Sequence, residues 1–198
     1  MKVNIYLPHS FKVNYKADVI VGVDYGAFIL AQKGIRMDVA IGDFDSTSNS
    51  EFELVEKFSD KVIKLKVEKN ETDSEAAIMY LQALGYKDIT IVGDIGNRLD
   101  HFLINYRLIE KYNVTYLLND SKIFSLEKGV HKVKNEYQFL SLFTNDRCSL
   151  NLSGTKYKLK NATINYFDTY TSANEIIDDN ATIEIISGKV TVVLSSDK

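Results

Sequence analysis

Strand-like and helix-like segments alternate along the first 120 residues of this 198-residue chain. Short runs rich in Val and Ile, such as DVIVGVD at residues 18–24, are separated by segments with helical periodicity that end at Gly34 and Gly85. This alternation predicts βαβ units, a mostly parallel sheet and right-handed crossovers. The sequence therefore indicates an α/β domain over residues 1–120.

The pattern changes after Asp120. Runs such as YQFLSLFT and KVTVVLSS alternate apolar with polar side chains, glycines separate them, and helical periodicity is lost. Such runs are typical of half-exposed antiparallel strands. We expect residues 121–198 to form an all-β sandwich domain.

The composition restricts the class of protein. The net charge of −3 does not predict a general nucleic-acid-binding surface. The single cysteine, Cys148, excludes an internal disulfide and fits a reducing compartment. The N-terminal apolar run is too short for a signal peptide, and no run is long enough to span a bilayer. We therefore expect a cytoplasmic protein.

Aspartates follow the predicted strands. The stretch AIGDFDSTS, residues 40–48, places Asp43 and Asp45 two residues apart directly after a buried strand. Two carboxylates about 4 Å apart repel by roughly 4 kcal/mol at an effective dielectric constant of about 20, so the pair predicts a bound cation or a charged ligand. The other acids at predicted strand ends or helix starts are Asp24, Asp73, Asp94 and Asp100.

These acids are expected to share one edge of the sheet, because the carboxyl ends of parallel strands and the following helix starts lie together there. A turn role is sufficient for Asp94, and a helix-dipole role competes with a ligand role for Asp73. A turn needs one carboxylate, however, and not both Asp43 and Asp45. With Asp100 at the same edge, the pattern indicates a metal site.

The expected metal is Mg²⁺, which prefers carboxylates, waters and substrate phosphates. Zinc is not expected, because the histidines and the cysteine do not have the spacing of zinc ligands. Those residues are His9, His101, His131 and Cys148.

The segment GDIGNRLDH, residues 93–101, adds an anion-binding element. Gly93 and Gly96 allow the backbone to approach a ligand, and the helix N-terminus that follows favours an anion. Arg98 is able to bind a phosphate with two N–H groups, and His101 either contacts a phosphate or holds the loop. Carboxylates that hold Mg²⁺ beside an arginine are typical of phosphoryl transfer. The chain has no P-loop motif.

The motifs VDYGA, GDFDS, ETDSEAA and GNRLDH, in this order and at this spacing, resemble the thiamine pyrophosphokinase family. The resemblance continues through SLNLSGTKYKLKN and SANE and covers nearly the whole chain. It implies an α/β domain joined to a β-sandwich domain in a homodimer, with active sites between domains and across the dimer interface. It also implies transfer of the diphosphate of ATP to the hydroxyl of thiamine, with Mg²⁺, to give thiamine diphosphate and AMP.

The resemblance assigns roles to particular residues. The acidic metal and phosphate site matches Asp43, Asp45, Asp73 and Asp100, and the phosphate-binding arginine matches Arg98. The residues expected to contact the nucleotide are Asp24, Gly26, Ser46, Thr72, Gly96 and His101. The thiamine contacts match Ser172, Ala173 and Asn174.

Two departures from the family pattern bear on the acceptor. Tyr25 stands where a second glycine is usual, and Ala173 stands where a serine is usual, although Ser172 is adjacent. Tyr or Phe side chains must stack on the rings of the acceptor because the chain has no Trp. The nearest candidates are Tyr166, Phe167 and Tyr170, for which packing within the sandwich is the alternative role.

The sequence is compatible with more than one general base and more than one function. The base for the acceptor hydroxyl is Asp73 or Asp100, if a base is needed. A diphosphokinase for another alcohol such as a pterin would keep the acids and Arg98. A metal-dependent phosphohydrolase would use water instead of an alcohol, and a non-catalytic module would only bind the cation.

Overall fold

The computed structural model describes residues 1–8, 16–93, 95–96 and 98–197. His9 and Asp94, which the sequence analysis considered, lie outside these residues. The chain divides into two compact units, Met1–Asn119 and Asp120–Lys198. Within the described residues, no helix is long and apolar enough to cross a membrane.

The first unit alternates strands with helices, as the sequence predicts. The chain order of its elements is β1 (Lys2–Tyr6), β2 (Val19–Val23), α1 (Tyr25–Gln32), β3 (Met37–Gly42), α2 (Asn49–Phe58), β4 (Ser59–Lys64), α3 (Asp73–Ala83), β5 (Asp88–Val92), α4 (Leu99–Tyr112) and β6 (Thr115–Leu117). The strands pair in the order β4-β3-β2-β1-β5-β6, and every pairing is parallel. The expected mostly parallel α/β sheet is confirmed.

The strand order reverses at β1, which has β2 on one side and β5 on the other. In parallel sheets of this kind, ligands bind at the carboxyl ends of the strands near such a reversal. The central strands β1, β2, β3 and β5 are almost wholly buried, whereas the edge strand β4 has several exposed residues. Continuous apolar strands therefore form the core, and the turns after them are free to carry polar side chains.

Helix α3 ends in a glycine cap. At its end Gly85 has φ 88°, its N–H donates to the carbonyl of Gln82, and the N–H of Tyr86 donates to the carbonyl of Leu81. This pair of bonds is a Schellman motif, and it confirms that the helix stops at Gly85.

The sequence TDSE at residues 72–75 predicts a capping box at the start of α3, with Glu75 bonding back to Thr72, and this prediction is only half correct. The hydroxyl of Thr72 accepts the N–H of Glu75, so Thr72 is the N-cap. The side chain of Glu75 instead bonds to Lys111 and Tyr112 of α4, because these offer a charged and a hydroxyl donor. A complete capping box occurs at Ser48 and Glu51, at the start of α2.

The second unit contains only strands among its regular elements in the described residues. These strands are β7 (Ser121–Leu126), β8 (Gly129–Lys134), β9 (Phe139–Phe143), β10 (Arg147–Ser153), β11 (Leu159–Asn165), β12 (Asn180–Ser187) and β13 (Val190–Ser195). Strands β7, β13 and β9 pair antiparallel in that order, and β11, β10, β12 and β8 form an antiparallel sheet.

Both sets of strands in this unit contribute to one apolar core. Leu140 and Leu142 of β9 and Val192 of β13 pack in the same cluster as Leu150 of β10 and Ile183 of β12. Strand β10 alternates buried with partly or fully exposed residues from Arg147 to Ser153, whereas β13 has three consecutive buried residues. Two layers around one core make a β-sandwich, so the predicted all-β fold class is confirmed.

Candidate active site

The loop after β3 directs two carboxylates to the edge of the parallel sheet. Phe44 lies between them with φ 57°, a left-handed conformation, and its buried ring packs edge-on against Phe52 at 5.1 Å between ring centroids. The backbone N–H of Asp45 donates to Oδ1 of Asp43 at 3.2 Å. Phe44 therefore anchors the loop in the core while its two acidic neighbours stay outside the core.

Asp24 joins this pair from the end of β2. One carboxylate oxygen from each of Asp24, Asp43 and Asp45 lies within 4.8 Å of the other two. The N–H of Asp24 donates to the carbonyl of Ile41 at 3.0 Å, which ties the two loops together. The hydroxyl of Ser46 donates to Oδ2 of Asp24 at 3.5 Å. We call the three carboxylates of Asp24, Asp43 and Asp45 the acid group.

The backbone of Asp24 is strained. Its φ of 50° with ψ of −128° is a conformation that non-glycine residues rarely adopt, and such a conformation costs on the order of 1–3 kcal/mol. Strain of this kind persists only where the surrounding structure imposes it, and it is common at functional sites. The strain thus indicates that the fold holds the Asp24 carboxylate in this position at a cost to local stability.

The electrostatic surroundings of Asp24 favour a bound cation. Its Oδ1 is buried and has no hydrogen-bond partner among the described residues. Burial raises the pKa of Asp24, and the charges of Asp73, Asp43 and Asp45 add to this rise, although the backbone N–H of Tyr25 opposes it. A cation among these oxygens would stabilise the ionised form and give the buried oxygen a partner.

Asp73, the first residue of α3, is held by a lysine. Oδ1 of Asp73 lies 2.9 Å from Nζ of Lys69, which is also 3.5 Å from Oδ2 of Asp43. Burial alone would lower the pKa of Lys69, but its hydrogen bond to Asp73 and the charges of Asp73 and Asp43 raise it overall. Lys69 therefore carries a positive charge between the acid group and α3.

Asp100 is paired with Arg98 and lies outside the acid group. Nε of Arg98 donates to Oδ1 of Asp100 at 3.0 Å, and Nη2 donates to Oδ2 at 2.7 Å. These hydrogen bonds lower the pKa of Asp100 to about 2. Both side chains are more than half exposed. The Nη1 group of Arg98 takes no part in this pair and is available to an anion.

A cavity of about 320 Å³ lies beside these residues in the first unit. Of the residues singled out from the sequence, the cavity is lined by Asp24, Thr72, Asp73, Arg98 and His101. Apolar side chains such as Leu7, Phe102 and Tyr116 complete its wall. The cavity therefore combines acids, one arginine and apolar surface, which is the usual make-up of a small-molecule site.

Gly26 and Gly96 lie in contrasting surroundings. A Cβ atom at Gly26 would lie 2.4 Å from the carbonyl oxygen of Tyr6, so packing of α1 on β1 already requires glycine there. Gly96 is exposed, with φ 59°. The bulk of Tyr25 packs against Phe28 of the same helix, with ring centroids 5.2 Å apart.

The residues singled out in the second unit lie in one loop before β12. Ala173 has φ 53°, and its N–H donates to the hydroxyl of Ser141 at 2.9 Å. The buried amide of Asn174 accepts the N–H of Tyr157 at 3.0 Å and donates to the carbonyl of the same residue at 2.7 Å. The hydroxyl of Ser172 donates to the carbonyl of Thr169. Asn174 thus fastens two loops of the unit together.

Two residues of the cavity wall were missed in the sequence analysis. Lys69 precedes Asp73 by four residues, and that spacing of opposite charges could have indicated an ion pair. Asn105 is buried in α4 on the same stripe as Leu108 and Ile109 and lines the cavity. A polar residue on a buried helix stripe was the available signal.

Two family models match the chain. One is described as "Thiamin pyrophosphokinase, catalytic domain" and matches residues 11–118. The other is described as "Thiamin pyrophosphokinase, vitamin B1 binding domain" and matches residues 129–190. A curated protein named Thiamine pyrophosphokinase, from Bacillus subtilis (strain 168), is 30% identical over 190 residues, which are 89% of this chain and 87% of that protein.

Solved structures resemble the whole chain. A thiamin pyrophosphokinase family protein from Enterococcus faecalis has a TM-score of 0.90 and 26% identity, with all of both chains covered. A thiamin pyrophosphokinase from Geobacillus thermodenitrificans has a TM-score of 0.87 and 28% identity, and covers 100% of this chain and 99% of its own. The order of the two units is thus the same as in these relatives.

Proposed function

This chain belongs to the thiamin pyrophosphokinase family, and on that premise we propose that it is an ATP-dependent thiamine diphosphokinase. The reaction transfers the diphosphate of ATP to the hydroxyl of thiamine and releases AMP. The observation that carries the proposal is the acid group, in which carboxylates from two separate strand ends meet. This group lies beside a cavity that is lined by acids, Arg98 and apolar side chains. Such a group fits a metal-assisted transfer of phosphate.

The acid group fits Mg²⁺. Its donors are carboxylate oxygens, which Mg²⁺ prefers, and the buried Oδ1 of Asp24 accepts no hydrogen bond from the part of the chain that the structure describes. We propose that Asp24, Asp43 and Asp45 hold the ion, with Asp73 and Asp100 as further acids of the metal and phosphate site. When bound, the ion would neutralise charge on the phosphates of ATP.

The other residues of the site bind and orient the phosphates. Arg98 would donate from its guanidinium to a phosphate oxygen, since the pair with Asp100 leaves Nη1 available. Thr72 caps α3, whose N-terminus favours an anion. Ser46, Gly26, Gly96 and His101 are the remaining proposed nucleotide residues.

The bond changes are those of an in-line displacement. The hydroxyl oxygen of thiamine attacks the β-phosphorus of ATP, the bond from that phosphorus to the oxygen of AMP breaks, and the hydroxyl proton is lost. Of the two acids considered as base, Asp73 is the better candidate. Asp100 is a weak proton acceptor, because Arg98 lowers its pKa to about 2.

We assign binding of the acceptor to the predicted sandwich domain, residues 121–198, and catalysis to the predicted α/β domain, residues 1–120. The match of residues 129–190 to a vitamin B1 binding domain supports this division. The proposed thiamine contacts are Ser172, Ala173 and Asn174, and Asn174 would act through the loop that it orders. We also propose a cytoplasmic homodimer, for which sedimentation analysis should give twice the mass of the chain.

The rival functions receive less support. A pterin diphosphokinase or a phosphohydrolase would keep the acids and Arg98, but both family models and the curated relative carry the thiamine name. A module that only binds a cation would not need a cavity lined by Arg98 and His101.

The direct assay supplies the purified chain with ATP, Mg²⁺ and thiamine. We expect AMP and thiamine diphosphate to form in equal amounts, and AMP formation to stop when thiamine is omitted. Competition with a pterin alcohol separates the acceptors. Release of inorganic phosphate without thiamine would instead identify a phosphohydrolase and overturn the proposal.

A further inference from the structure

Lys69 has an unusual position for a lysine. It lies between β4 and α3, lines the cavity, and its side chain is only 16% exposed. Lysine ammonium groups usually stay in water, because removing the charge from water is costly. Favourable contacts must offset that cost here.

Nζ of Lys69 has three oxygen neighbours. It donates to the backbone carbonyl of Lys66 at 3.1 Å and to Oδ2 of Asp43 at 3.5 Å, and it forms an ion pair with Oδ1 of Asp73 at 2.9 Å. Two of the three are carboxylates from different parts of the chain. The ammonium thereby links the acid group to the start of α3.

Asp43 is shared between two sites. It belongs to the acid group with Asp24 and Asp45, and it also accepts the hydrogen bond from Lys69. A divalent cation in the acid group and the ammonium of Lys69 would both draw on the charge of this carboxylate. Each positive charge would also repel the other across a few ångströms.

We propose that Lys69 is a resident cation of the acid group, a positioning residue that holds Asp43 and Asp73 in place without metal and competes with a divalent ion for Asp43. This inference rests on the proposed function, since it takes the acid group as the Mg²⁺ site. A divalent ion held by Asp43 would weaken the hydrogen bond from Lys69 to that carboxylate and would make an N–H of the ammonium available in the cavity that Lys69 lines. An anionic oxygen of a phosphate is the acceptor that suits it. Lys69 therefore links entry of the metal to binding of the phosphate.

The test is the affinity for Mg²⁺, measured by calorimetry without ATP or thiamine. Lys69→Gln keeps an N–H donor for Asp73 but removes the charge, so we expect it to bind Mg²⁺ at least tenfold more tightly than the wild-type chain. Lys69→Arg keeps the charge and should stay within about threefold of wild type. The matched control is Lys66→Gln, an exposed lysine three residues away, which should leave the affinity within about twofold.

Equal or weaker binding by Lys69→Gln would overturn the proposal, because a merely structural lysine predicts no gain. The wild-type chain provides a second measurement that does not depend on the folding of a variant. The Nζ resonance of Lys69, assigned by its loss in Lys69→Arg, should shift when Mg²⁺ saturates the protein. A resonance that does not move would also overturn the proposal. Neither experiment needs turnover, so a failure here is distinct from a failure of the transferase assay.

Discussion

Two residues with left-handed backbone conformations, Asp24 and Phe44, build the acid group at the scale of single side chains. The positive φ of Phe44 is unfavourable, but burial of its ring offsets that cost. The resulting turn leaves Asp43 and Asp45 on the same side of the loop. Asp24 keeps its strained φ next to the backbone of β3. Local strain and charge repulsion therefore coincide at one place, as expected where ligand binding offsets both.

The first prediction concerns Arg98 and its effect on the rate of turnover. Arg98→Ala removes the guanidinium that we assign to the transferring phosphate, so kcat should fall by roughly 10²- to 10³-fold. The side chain is more than half exposed, and the thermal midpoint of unfolding should change little. The measurement is steady-state AMP formation together with a thermal melt.

The matched control is Arg107→Ala, an exposed arginine of α4, the helix that begins directly after Arg98, and this variant should retain wild-type turnover. If Arg98→Ala unfolds, or if it turns over like the control, the assignment of Arg98 to the phosphate is wrong.

Some of these residues were predictable from the sequence and others were not. The spacing of Asp43 and Asp45 indicates a cation site by itself, because two adjacent charges need a counterion. That Asp24 completes the group, while Asp100 pairs with Arg98, depends on side-chain directions that a linear pattern does not contain. The position of Lys69 between Asp43 and Asp73 is likewise set by tertiary contacts.

At the scale of elements, Glu75 joins α3 to α4. Its Oε1 accepts the hydroxyl of Tyr112 at 2.7 Å and the ammonium of Lys111 at 2.5 Å, and the Glu75 side chain is 13% exposed. These hydrogen bonds lower its pKa from the ordinary value of 4.5. The sequence placed Glu75 in a capping box, but the two donors of α4 provide better partners than the backbone N–H of Thr72.

Glu75→Gln should lower the free energy of unfolding by about 1 kcal/mol at pH 7, since the amide oxygen still accepts hydrogen bonds but lacks the charge that strengthens them. A carboxyl group with a lowered folded pKa stabilises the fold above its unfolded pKa, and that contribution is lost as the pH falls through the folded pKa. The difference between variant and wild type should therefore shrink as the pH falls below 4.5. Urea denaturation at several pH values measures it.

The control for this prediction is Glu53→Gln, an exposed residue of α2. It should change the free energy of unfolding by less than about 0.5 kcal/mol. A loss of stability in Glu75→Gln that stays constant from pH 7 to pH 3 would contradict the role given to the carboxylate.

At the scale of the whole molecule, two units with different architectures follow each other along the chain. The order of elements was predictable, because periodicity changes from alternating helix and strand to strand alone near Asp120. The side chains that contact the acceptor were harder to predict from the sequence. Asn174, expected at thiamine, uses its amide to fasten Tyr157, and no sequence pattern distinguishes those two roles.

Acids from separate strand ends form the proposed metal and phosphate site of a thiamine diphosphokinase. The decisive experiment is the rate of thiamine-dependent AMP formation by the double variant Asp43→Asn with Asp45→Asn. We expect this rate to fall by about 10³-fold or more with the fold retained. Asp88→Asn, an exposed aspartate at the start of β5, should stay near wild type. A double variant that forms AMP at close to the wild-type rate would show that these acids do not form the catalytic site.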